Sequence, residues 1–252
     1  MSNEHNRRVM IAIAIFLTFL GGFYIYVFDP FAQESRYLPI GIGDFRDRSF
    51  YEINPKTILA SLDSGETDVF TPAASIPQTP LTETSVSWQQ ADFVKVARAL
   101  NQSIWEEPLS NWRLYSMHFS TDCQDNPSGF TGADLYYFKT VFRDNGKIKY
   151  TTQNFFISTK YGAMRWAGGS NFPHPLFSWE NIRLSRVQIT AEDALTIAEE
   201  NGGRETRLLV ENKCRIHVRL ASDQAWQILI YQNDTDSSLF RMEIDPETGK
   251  IE

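Results

Sequence analysis

The chain has 252 residues, with 42% hydrophobic and 13% aromatic content, so it holds enough apolar material for a packed core and is not disordered throughout. Its formal net charge is -7, from 24 basic and 31 acidic residues. An acidic surface without clusters of Lys and Arg repels phosphate backbones, which excludes a nucleic-acid partner.

Val9 to Phe28 runs without a charge for long enough to span a hydrocarbon layer of roughly 30 Å as a helix. It ends in Phe23, Tyr24, Tyr26 and Phe28, bulky residues that suit an interfacial belt better than the small-residue site of a cleaved leader. The expectation is an uncleaved single-pass transmembrane helix over 9–28, placed in the lipid bilayer of a cell membrane. Arg7 and Arg8 abut this run, whereas Asp29 and Glu34 follow it. That bias favours a cytoplasmic tail over 1–8 and an extracytoplasmic C-terminal region.

Residues 29–86 read as a juxtamembrane stretch. Within it Asn54-Pro55 marks a helix cap followed by Pro in the first turn. The helix runs over Lys56 to Leu62 and ends near Gly65, with Ile58, Leu59 and Leu62 on one face. So short a helix must dock, either on its own domain or on a neighbouring protein. Thr71 to Ser85 is rich in Pro and Thr and reads as an extended linker.

Two tandem α+β units are expected next, over 87–185 and 186–252, each a helix followed by an antiparallel meander. In the first, Ser87 and Gln90 form a capping box for a helix to about Trp105, with Phe93, Val96, Ala97, Leu100 and Ile104 at helical spacing. Strands are expected over Trp112 to Ser120, Ala133 to Arg143, Lys147 to Ser158 and Ala163 to Ala167, and Asn145-Gly146 favours a tight hairpin. In the second, Thr190 and Asp193 cap a helix to about Asn201, stopped by Gly202-Gly203. Strands are expected at Thr206 to Val210, Arg215 to Ala221, Ala225 to Gln232 and Ser238 to Ile244, followed by a turn over Asp245 to Gly249.

The helix ITAEDALTIAEENGG, the strand Trp226 to Tyr231 and the ending Phe240 to Ile251 together resemble the PepSY-like family of small α+β domains. The earlier unit carries the resemblance less well, since Ile157 to Gly162 lacks the acidic turn. The resemblance implies a non-enzymatic domain of secreted or membrane-anchored bacterial proteins, set beside proteases or other envelope proteins that it inhibits or regulates. It brings no catalytic residues and no cofactor.

Cys123 and Cys214 leave two alternatives open, a disulfide or two buried free thiols. The histidines are His5, His118, His174 and His217, and no pair has the i, i+4 spacing of a helical metal site. His118 and His217 fall in strands of the two units, each near a cysteine, but four compact ligands are not in evidence and no metal is expected. A G-x-S-x-G elbow is missing, and Gly41-Ile-Gly43 lacks the rest of a dinucleotide loop. Tyr136-Tyr137-Phe138 and Phe155-Phe156 put aromatics on both faces of a strand, so one face is core and the other is either covered or a binding surface. The expected role is a binding or regulatory module, or an accessory subunit, whose partner is a membrane or envelope protein. The alternatives are an envelope enzyme with a site assembled from scattered residues and a sensor of a small apolar ligand.

Overall fold

Alternating burial along the strands sets the architecture. In Cys214–Ala221, the side chains of Cys214, Ile216, Val218 and Leu220 are buried, while Arg215, His217 and Arg219 point the other way. Each strand therefore presents one apolar and one polar face, the mark of a sheet covered on one side. A computed structural model describes residues 11, 16–22, 48–81, 86–123, 127–142, 148–171, 182–221, 225–233 and 237–252.

Nine strands form a single antiparallel sheet. They are β1 (Arg48–Glu52), β2 (Thr71–Ala73), β3 (Arg113–Asp122), β4 (Gly132–Phe142), β5 (Ile148–Ser158), β6 (Ala163–Asn171), β7 (Cys214–Ala221), β8 (Trp226–Gln232) and β9 (Ser238–Ile244). Their order is β2-β1-β6-β5-β4-β3-β7-β8-β9. The helices are α1 (Ile58–Asp63), α2 (Gln90–Trp105), α3 (Ala191–Ala198) and α4 (Arg204–Leu209).

The core lies between α2, α3 and the apolar sheet face. Phe93, Val96, Ala97 and Leu100 of α2 and Ala191, Ala194, Leu195 and Ala198 of α3 are buried with Met117, Phe119, Leu135, Val218 and Trp226. The alanines of α3 let that helix lie close to β7 and β8. Polar groups in this layer are satisfied internally, as low-dielectric burial requires. Gln153, 1% exposed, donates to Asn101 Oδ1 at 2.6 Å, and its own Oε1 accepts from the indoles of Trp105 at 2.8 Å and Trp166 at 3.1 Å.

Several sequence expectations are corrected. The expected pair of tandem units, each with its own sheet, is replaced by one sheet, because β3 and β7 hydrogen-bond along seven residue pairs from Ser116↔Ala221 to Asp122↔Arg215. Pairing satisfies edges that two separate sheets would leave open. Among the described residues no helix is long and apolar enough to cross a membrane. Of the expected span over 9–28, residue 11 and residues 16–22 are described, as helix, and the rest lies outside the described residues.

The strand expected at Thr206 to Val210 is helix α4. Gly202 does adopt a positive φ of 105° but serves a wide turn over Glu199–Gly203, from which a new helix starts. Arg207, 1% exposed, locks that turn by donating to both oxygens of Glu199 and, at 2.7 Å, to Asn212 Oδ1. The cap of α2 falls at Gln89, whose N–H donates to Asp92 at 2.9 Å, because Trp88 is still paired with Phe130 in extended backbone. The linker's first residues form β2 against β1, and Leu81 N–H donates to Lys160 O at 2.8 Å. The Asn145-Gly146 turn lies outside the described residues, although β4 and β5 pair out to Phe142↔Ile148 on either side of it.

The short helix α1 is seated on its own domain. Asn54 Oδ1 accepts from Lys56 N–H at 3.1 Å, Ile58 is 2% exposed in the core, and Leu59 and Leu62 pack against it.

Candidate functional site

Register alone brings the polar residues of the helix-free face together. Opposed residues in an antiparallel ladder share a face, so one row across the sheet reads Glu243, Gln227, Arg219, His118, Asp134, Phe156, Arg165, Phe50. The next reads Arg241, Leu229, His217, Ser120, Gly132. Tyr136 and Asn154 lie on this side too, whereas Tyr137 and Phe155 face the core. Here the aromatic runs split between faces as the alternation requires. Phe138, on the helix-free side, is nonetheless fully buried, with the Tyr115 ring 6.4 Å away.

Around the β3–β7 seam this face is concave, forming a half-open basin of about 520 Å³. Its lining includes His118, His217, Arg215, Arg219, Asp134, Tyr136, Asn154 and Tyr231. The helix caps Gln89 and Thr190 and the histidines His118 and His217 are separated by nearly the same number of residues. The seam is centred on Phe119↔Val218, so a half-turn about that point exchanges the two histidines.

His118 Nε2 and His217 Nδ1 are 2.7 Å apart. Their ring planes differ by 17° and their centroids by 4.9 Å. That separation is nearly the full sum of two ring radii and the contact, so the imidazoles meet edge to edge in nearly one plane and share a hydrogen bond. One nitrogen donates and the other accepts, which requires at least one neutral ring. Burial holds the His118 imidazole below its ordinary pKa, aided by Arg219 and opposed by Asp134. Burial, then His118 and Arg215, push His217 down to about 4. Both shifts disfavour the protonated rings. Tyr231 stands edge-on to His217 at 5.3 Å.

Asp134 is the one carboxylate of the lining, and it accepts from the Asn154 amide. Arg215 and Arg219 are exposed, and neither makes a hydrogen bond or ion pair with a described residue. Arg165 lies over the Phe156 ring at 5.3 Å, and its Nε is buried without a hydrogen-bond partner among the described residues. Beside the basin, Lys160 is paired with Asp122.

Chemically, the arrangement offers cationic and hydrogen-bonding groups to a ligand. Ser120 is the register partner of His217, but neither it nor Ser116 hydrogen-bonds to an imidazole. Among the described residues no group of three or more His, Cys, Asp and Glu could hold a metal ion. A mixed Cys/His site is ruled out for another reason. Cys123 and Cys214 are bonded to each other, with Cα atoms 5.3 Å apart, and Cys123 N–H donates to Cys214 O at 2.9 Å. The two are opposed at the end of the β3–β7 ladder, and the half-turn that exchanges the histidines does not exchange them. His5 and His174 lie outside the described residues.

The sequence expectations assigned no functional role to Arg215, Arg219 or Asp134. The missed signal was Arg215-x-His217-x-Arg219, three chemistry-bearing residues at period two on one strand face.

Residues 188–252 match the PepSY family model, described as "Peptidase propeptide and YPEB domain". This segment comprises α3, α4 and β7 to β9, and thus one wall of the basin. No curated protein and no solved structure matches the chain.

Proposed function

We propose that this protein is a non-catalytic extracytoplasmic binding and regulatory module, and that its helix-free sheet face, centred on the His118–His217 basin, is the surface that engages another envelope protein. The observation that carries this reading is the concave, polar and aromatic face at the β3–β7 seam, built in part by the PepSY segment, where neither Ser116 nor Ser120 hydrogen-bonds to an imidazole. The family description, which names a peptidase propeptide, supports a role beside another protein. The Cys123–Cys214 disulfide supports an oxidising compartment, where such bonds persist. The polar lining does not suit a small apolar ligand.

Photo-crosslinking on envelope preparations tests the reading. A benzoylphenylalanine at Ser116 or Tyr231, on the basin, is expected to trap the same discrete partner. The probe at Glu200, exposed on the helix side, is expected not to. Equal labelling from both sides, or none from the basin, removes the proposal.

A further inference from the structure

Arg215 and Arg219 project from the same face of β7 on either side of His217. At about 3.3 Å per residue their Cα atoms are roughly 13 Å apart along the strand. Several other cations of this acidic chain are paired locally, among them Lys95 with Asp63, Lys139 with Glu107, Lys160 with Asp122 and Arg241 with Glu243. The two arginines are not, and the basin's own carboxylate, Asp134, is engaged by Asn154.

Resting on the reading of this face as the binding surface, we infer that its ligand is an extended, acidic segment of the partner protein, with carboxylates spaced to meet Arg215 and Arg219 together. Two separated cations favour two separated anions. A single phosphate or carboxylate takes a bidentate contact from one guanidinium, whereas the two side chains are rooted about 13 Å apart along the strand. In an extended chain, carboxylates four residues apart have that same spacing and point the same way. Between them the segment crosses His217, whose neutral, edge-bonded imidazole adds no repulsion, and Tyr231 offers an aromatic wall to an intervening side chain. The net charge of -7 sets a repulsive background for acidic segments, against which the exposed Arg215 and Arg219 supply local attraction.

The test uses the full chain and a fluorescein-labelled dodecapeptide of alternating Thr and Glu, with its Thr-Gln counterpart, read by anisotropy at 50 and 300 mM salt. The Glu peptide is expected to bind at least about tenfold more tightly than the Gln peptide at low salt, with that margin shrinking at high salt. The double variant Arg215→Gln/Arg219→Gln is expected to lose the margin. Arg186→Gln/Arg204→Gln, an equal charge change at exposed positions outside the basin, and Arg215→Lys are expected to keep most of it. Near-UV circular dichroism confirms that each variant is folded.

Equal affinity for the two peptides, or an unchanged margin in the double variant, overturns the inference. Competition by inorganic phosphate at the same concentration of charge overturns the extended-segment part. If the peptides are not distinguished while basin crosslinking still traps a partner, the acidic ligand falls and the binding face stands. If both fail, both readings fall.

Discussion

The two faces of the sheet obey opposite rules. On the helix side, Phe93, Phe119, Met117, Leu135 and Trp226 are buried, and the polar side chains there are closed into networks such as Gln153 with Asn101, Trp105 and Trp166. On the other side the same strands display Arg215, Arg219 and two histidines that satisfy each other. One face has used up its interactions in folding, and the other retains some. Substitutions on the first should therefore cost stability, whereas those on the second should cost binding.

The largest expected effect is on the core. Phe119, fully buried at the seam and 5.1 Å from Phe130 and 5.9 Å from Phe93 by ring centroids, loses transfer energy and leaves a cavity on Phe119→Ala. Urea titration should show a loss of about 3–5 kcal/mol. A loss below about 1 kcal/mol would mean that the seam is not the centre of the core.

Next is the bond that ties the seam's end. The disulfide closes a separation of 91 residues, so Cys123→Ser/Cys214→Ser, or reduction, should lower stability by roughly 4 kcal/mol through release of the unfolded chain. The check is the urea midpoint with and without reductant, which should coincide for the double variant.

A smaller effect separates the faces by pH. Both basin histidines have folded pKa values below their ordinary 6.5, His217 at about 4, so the unfolded chain binds more protons as pH falls below 6.5. The stability this provides is present above about pH 6.5 and is lost as pH falls toward 4. The melting temperature should drop between pH 7 and pH 5, and the drop should be shallower in His217→Asn. An equal slope in both proteins would place the titration elsewhere. Arg215→Gln should be the smallest change, within about 0.5 kcal/mol of wild type in the same urea titration, because the side chain is exposed and unpaired.

Local chemistry made much of the fold legible. Strands β4, β5, β8 and β9 fall within a residue or so of where alternation places them, and Thr190 with Asp193 does cap α3, accepting and donating across the first turn. Where expectation failed, a distant partner had outvoted the neighbours. Ser87 reads as a cap until Trp88 pairs with Phe130. Gly202-Gly203 reads as a stop until Arg207 reaches back to Glu199. The site was less legible than the fold. His118 and His217 stood out only as strand residues near cysteines, and the arginines did not stand out at all.

By itself the sequence determined the periods: where side chains alternate, where a helix face is apolar, which turns need Gly249 or Asp245, and that the C-terminal stretch resembles PepSY. These depend on residues within a few positions of one another, and proximity along the chain guarantees the interaction. Only the tertiary structure decided that β3 and β7 would pair. That pairing joins 113–122 to 214–221, merges two expected sheets into one, sets the cysteines opposite each other and brings His118 to His217 between Arg215 and Arg219. Antiparallel pairing depends on hydrogen bonds any two extended segments can make, so no residue in either strand names its partner. Burial of the shared face beneath α2 and α3 makes that choice.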